Sequence, residues 1–213
     1  NGRTTGYSYN IAGGQFSMNY PSGRNISKTF DNRNRLVAIN EGSLQLFSAT
    51  YDGANRVLSQ TFGNGGNVNF NYDSGGRLLA KFSNSIPPVG FQYTYDNAGN
   101  ITSETKTHKP DHSEQYFYDN EDQLTEWKYG TIGGDDTTHH QEFMYDQLGN
   151  RTSSIIDGNT VSYTSNQLNQ YTSVNGVSQT FNGNGSLITS GTDNYSYNTL
   201  NQLIVVNSTA LKY

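Results

Sequence analysis

The chain has 213 residues, of which 32% are hydrophobic and 15% charged, with a formal net charge of −5. Both shares fall below those usual in globular domains, while the 16 Tyr and 10 Phe argue against disorder, so an ordered, turn-rich chain with a thin core is implied. The acidic balance leaves no basic face for nucleic acid, the absence of cysteine excludes disulfides and thiolate metal sites, and no apolar run is long enough for a membrane span or a signal peptide.

In chain order, one pattern returns. An aromatic residue opens each repeat at Tyr9, Phe30, Tyr51, Tyr72, Tyr95, Tyr118, Tyr145, Phe181 and Tyr197, with Ser165 in that place once. The steps between starts are 21, 21, 21, 23, 23, 27, 20, 16 and 16 residues. Asp or Asn follows at once: Asn10, Asp31, Asp52, Asp73, Asp96, Asp119, Asp146, Asn166, Asn182 and Asn198. Three positions further on stand Gly13, Asn34, Asn55, Gly76, Gly99, Asp122, Gly149, Asn169, Gly185 and Asn201, all residue types that tolerate positive φ.

This spacing predicts a hairpin tip in every repeat. Asp or Asn opens a type I turn and accepts the N–H two residues on, and the later residue closes the loop through a bulge in the left-handed region. The aromatic ends the incoming strand; Leu36, Val57, Leu78, Ile101, Leu124, Leu187 and Leu203 start the outgoing ones. Residues of one parity, such as Val68, Phe70 and Tyr72, or Val89, Phe91, Tyr93 and Tyr95, mark the strands. Second turns fall at "YPSG" (20–23), "GNGG" (63–66), "NSIPPVG" (84–90) and "NG" (175–176). Two strands per repeat predict about twenty in all, an all-β antiparallel hairpin meander without helix. The opening "NGRTTGYSYN" reads as the middle of a repeat, and Tyr213 falls one 16-residue step after Tyr197, so 1–213 is expected to be one continuous array cut from a longer one.

Side chains that could carry chemistry are few. His108 and His112 stand four apart, but Pro110 and Asp111 forbid the helix that would align them. His139 and His140 follow Asp135 and Asp136 in the longest insertion and read as solvated loop tips. Asp119, Glu121, Asp122 and Glu126 crowd one tip without a calcium-loop spacing, so turn chemistry accounts for them. Arg35, Arg56 and Arg77 hold one register, each expected to face the turn aspartate four residues earlier, and a contact with anionic glycans is the alternative. The tyrosine row is expected to pack the sheet rather than stack on sugars. No catalytic set, cofactor site or metal site is predicted.

The stretches "YDNAGNIT", "YDQLGNRTS" and "YDSGGRLL" resemble the YD repeats, also called RHS (rearrangement hotspot) repeats, of bacterial polymorphic toxins, insecticidal toxin complexes, wall-associated proteins and teneurins. The likeness covers essentially the whole chain, with Asn replacing Asp from residue 160 onward. It implies a curved, spiralling sheet that closes into a hollow shell, non-enzymatic, secreted or at a cell surface, and bacterial. The partners it implies are flanking repeats of the same polypeptide and an enclosed toxin or other domain; an adhesion or carbohydrate-binding array is the alternative. The Asp-Pro-containing self-cleavage segment of that family does not occur in these residues.

Overall fold

The computed structural model describes residues 4–9, 11, 14–134 and 139–211. Asn10, Gly13, Asp135, Asp136 and Tyr213 lie outside the described residues. The chain divides into two compact units, 1–113 and 114–213. Among the described residues it is all-β, with 21 strands and one short 3-10 turn.

The N-terminal unit holds β1 (Gly6–Tyr9), β2 (Gln15–Asn19), β3 (Asn25–Phe30), β4 (Leu36–Glu41), β5 (Leu44–Tyr51), β6 (Val57–Phe62), β7 (Asn67–Tyr72), β8 (Leu78–Ser83), β9 (Val89–Tyr95) and β10 (Ile101–Lys106). Each pairs antiparallel with the next. The 3-10 turn Pro110–His112 follows, its first residue a proline that needs no N–H there. β11 (Ser113–Tyr118) starts at the division between the units. The C-terminal unit continues with β12 (Leu124–Gly130), β13 (His140–Tyr145), β14 (Arg151–Ile156), β15 (Asn159–Ser165), β16 (Tyr171–Val174), β17 (Val177–Phe181), β18 (Leu187–Ser190), β19 (Asp193–Tyr197), β20 (Leu203–Val206) and β21 (Thr209–Ala210). From β12 onward each strand again pairs antiparallel with its successor.

Local chemistry explains the meander. At the tip between β3 and β4, Asp31 N–H donates to Arg35 O and Asn34 N–H to Asp31 O, both at 2.9 Å. That is a three-residue loop, a type I turn followed by a left-handed residue. The register then shifts between Thr29 and Phe30, and the same shift recurs before Tyr51, Tyr72, Tyr145, Ser165, Phe181 and Tyr197. The opposite ends of several hairpins use two-residue turns with both φ positive: Asp157–Gly158 (48° and 79°), Asn175–Gly176 (49° and 79°) and Asn207–Ser208 (46° and 69°). Such turns match the twist of the flanking strands.

The described residues form almost no sealed core. Among the described residues the buried apolar side chains are Ala49, Ala80 and Phe143, and the most enclosed residues are Ser113 and Ser154. Cross-strand hydroxyl pairs take up part of the load: Thr50 with Ser59 at 2.7 Å, Thr94 with Ser103 at 2.6 Å and Thr180 with Thr189 at 2.6 Å. Stability in such a sheet is the sum of neighbour contacts rather than of one central cluster.

Candidate functional site

The described tips share one geometry. The residue four after the repeat start has φ of 59° at Asn34, 68° at Asn55, 91° at Gly76, 102° at Gly99, 61° at Asp122, 80° at Gly149, 59° at Asn169, 80° at Gly185 and 57° at Asn201. The turn aspartate or asparagine uses Oδ1 twice. Asp31 accepts Arg33 N–H and Arg35 N–H at 2.9 and 3.0 Å; Asp52 accepts Ala54 N–H and Arg56 N–H, both at 2.9 Å. Asp73, Asp96, Asp119 and Asp146 hold Arg77, Asn100, Gln123 and Asn150 N–H in the same way, at 2.8–2.9 Å.

The second oxygen meets the side chain four residues on. Arg35, Arg56 and Arg77 each donate Nε to their own turn aspartate, at 2.7, 2.6 and 2.6 Å. Asn100 and Asn150 donate Nδ2 to Asp96 and Asp146, both at 3.0 Å. Where the turn residue is Asn the polarity reverses: Asn166 Nδ2 donates to Gln170 Oε1 at 2.9 Å, and Asn198 Nδ2 to Gln202 Oε1 at 2.8 Å. At these seven tips an acceptor at the turn is matched by a donor, and a donor by an acceptor.

These contacts lower the carboxyl pKa values of Asp31, Asp52, Asp73, Asp96 and Asp146. The Arg35 side chain holds Asp31 below its ordinary value, the Arg56 N–H and then its guanidinium do so for Asp52, and the Arg77 side chain does so for Asp73. At Asp96 burial pulls upward but is outweighed by donation from Asn100 and Gly99, and the Asn150 side chain lowers Asp146.

Each arginine also reaches forward into the next repeat. Nη1 of Arg35, Arg56 and Arg77 donates to the backbone oxygen of Asp52, Asp73 and Asp96, at 2.9, 3.4 and 3.0 Å. The guanidinium carbons lie over the rings of Tyr51, Tyr72 and Tyr95, 4.6, 4.8 and 4.7 Å from the centroids. The tyrosine hydroxyls reach back: Tyr51 to Leu36 O, Tyr95 to Leu78 O and Tyr145 to Leu124 O, at 2.7–2.8 Å. Tyrosine thus ties a repeat to its predecessor and aspartate shapes its own turn. The sequence reading placed the arginines on their own aspartates and missed this forward bridge.

The four histidines have different surroundings. His108 lies against Gly90, with its ring edge on Phe91 at 5.4 Å. His112 stands 3.9 Å from Asp111. The His139 ring lies tilted against Tyr129, with the centroids 5.6 Å apart. His140 is no loop tip: it is the first residue of β13, and Glu126 lies within β12 rather than in the Asp119 tip. His140 Nε2 is 2.7 Å from Glu126 Oε1 and 3.6 Å from Glu142 Oε1. Glu142 was missed because the long connection between β12 and β13 hides which residues face each other. An open cleft of about 510 Å³ lies between the tips at Asp119 and Asp146, with Phe143 and Tyr145 in its lining. No helix among the described residues is long and apolar enough to cross a membrane.

Comparison with known proteins follows the same repeat. Curated protein sequences give no match. Solved structures similar in fold include a crystal structure of TcdB2-TccC3-Cdc42, with 19% identity and a TM-score of 0.65 over 96% of this chain and 12% of that one. A TcdB2-TccC3 structure without the hypervariable C-terminal region aligns at 17% identity and a TM-score of 0.62, covering 99% of this chain and 12% of that one. The Photorhabdus luminescens Tc holotoxin pore with a mutated TccC3 gives 16% identity, a TM-score of 0.61 and coverage of 96% and 12%. The chain thus spans only a small part of these relatives. The Teneurin YD-shell family model matches residues 89–213, more than half of the sequence. The chain belongs to the Teneurin YD-shell family, and its fold is that of the YD (RHS) repeat.

Proposed function

We propose that this YD-shell segment is part of a wall that encloses and shields a toxin or other domain of the same polypeptide, outside the cell or at its surface, and that it does no catalysis itself. The observation that carries the reading is the use made of the repeat side chains. Arg35, Arg56 and Arg77 direct their donors to the same and the following tip, and Tyr51 and Tyr95 give their hydroxyls to backbone carbonyls. Side chains so engaged serve the sheet, and a guanidinium group already covers one face each of Tyr51, Tyr72 and Tyr95, which a sugar-binding array would offer to its ligand.

A wall of this kind lengthens without needing a larger core, because each repeat is buried only against its neighbours. Its surface is rich in hydroxyl and amide groups and poor in charge, which suits contact with an incompletely folded cargo. The test is limited proteolysis of the full-length parent protein. Shielding requires the sequence beyond the repeats to resist protease until the shell is opened. Immediate digestion of that sequence while the repeats stay intact overturns the reading, and glycan binding lost with Arg35, Arg56 and Arg77 favours adhesion instead.

A further inference from the structure

In β12 and β13 two carboxylates face each other. Glu126 pairs directly with Glu142, and two residues along Lys128 pairs with His140. Residues two apart on a strand share a face, so all four side chains lie on one side of the hairpin. Like charges placed directly opposite destabilise a sheet. Lys128 Nζ relieves Glu126 at 3.1 Å, and its ammonium also lies over the Phe117 ring at 5.2 Å. Glu142 has His140 as its near partner, at 3.6 Å, with Ile155 opposite it on β14. Among the described residues the repulsion is thus only half compensated.

Among the described residues, one ligand atom each from Glu126, His140 and Glu142 come within 4.8 Å of one another. Their side chains are 26%, 21% and 39% exposed, open enough for an ion to enter. We propose that Glu126, His140 and Glu142 form a binding site for a divalent transition metal of the zinc type, with water completing the coordination. One imidazole nitrogen with two carboxylate oxygens suits such an ion. Calcium, which takes 6–8 oxygen ligands, is a poor match. Ligands at about 2.0–2.1 Å from a tetrahedral ion stand about 3.4 Å apart, so Glu126 Oε1 has only to turn away from its hydrogen bond with His140. Lys128 is the resident competitor, and the metal displaces it from Glu126. The bound ion cancels the carboxylate repulsion and pins β12 to β13 across the longest connection in the array.

The experiment titrates the chelator-treated 213-residue chain with Zn²⁺ alone, followed by calorimetry and thermal melting, with Ca²⁺ in parallel. A single equivalent of Zn²⁺ binding with a raised Tm, and no response to Ca²⁺, is the expected result. His140→Ala and Glu142→Gln each weaken binding by more than about tenfold, and Lys128→Met strengthens it. Should His140→Ala fail to fold by circular dichroism, Glu142→Gln at the more exposed ligand decides. No binding by the unsubstituted chain overturns the proposal, and so does unchanged binding by Glu142→Gln, which assigns the zinc to other residues.

Discussion

Asp119 and Gln123 are a mismatched pair among the described tips: Asp119 accepts Gln123 N–H at 2.8 Å, yet Gln123 Oε1 is buried without a hydrogen-bond partner. At the equivalent tips a turn asparagine donates to this oxygen, as Asn166 does to Gln170 and Asn198 to Gln202. Asp119→Asn is expected to supply the missing donor and to stabilise the chain by about 0.5–1.5 kcal/mol, read from the urea midpoint at constant m.

The bridge between repeats is open to a direct test at Tyr95. Its hydroxyl donates to Leu78 O at 2.7 Å, and Tyr95→Phe removes that bond while leaving the ring under Arg77. A loss of about 0.5–1.5 kcal/mol is expected. In a double-mutant cycle, Arg77→Met with Tyr95→Leu is expected to show a coupling of about 0.5–1 kcal/mol from the guanidinium–ring contact. A coupling near zero would mean that the guanidinium–ring contact adds nothing to the join between the two repeats.

Gly99 has a φ of 102°, and a Cβ built there meets nothing within 4 Å. The cost of Gly99→Val is therefore backbone strain without a clash, about 1–3 kcal/mol. Asn97, earlier in the same tip, is not among the positive-φ residues, so Asn97→Val is expected to change stability by less than about 0.5 kcal/mol. Thermal melts of the two variants check the difference, and equal midpoints would count against a left-handed conformation at Gly99.

The lowered pKa values of Asp31, Asp52, Asp73, Asp96 and Asp146 set an acid dependence. A carboxyl whose folded pKa lies below its unfolded value of about 3.9 contributes stability above that pH and loses it as pH falls through the folded pKa. No loss from these groups is expected between pH 7 and 5. Below about pH 4 the amide resonances of Arg35, Arg56, Arg77, Asn100 and Asn150 are expected to titrate, since an aspartate accepts each of them. Those of Gln170, Ser186 and Gln202, accepted by asparagine oxygens, are expected to stay still.

The meander was legible in the sequence because few residue types tolerate the left-handed backbone that Asn34, Gly99 or Asn201 adopts. The turn residue alone dictates the tip hydrogen bonds, so they too follow from local sequence. The Arg35–Tyr51 contact was not legible, since it joins residues 16 apart and depends on how one hairpin lies beside the next. The exchange of Asp–Arg and Asp–Asn pairs for Asn–Gln pairs stood in plain sight at fixed spacing, but its meaning required knowing that the two side chains touch. Glu142 carried no signal of its own, because its relation to Glu126 depends on a strand register set across the long β12–β13 connection.

The forward reach of Arg35, Arg56 and Arg77 has a mechanical consequence. Each fastening joins one repeat to the next and to no other. A polypeptide drawn out from one end is expected to yield link by link, with a small and regular force peak for each hairpin, instead of rupturing all at once.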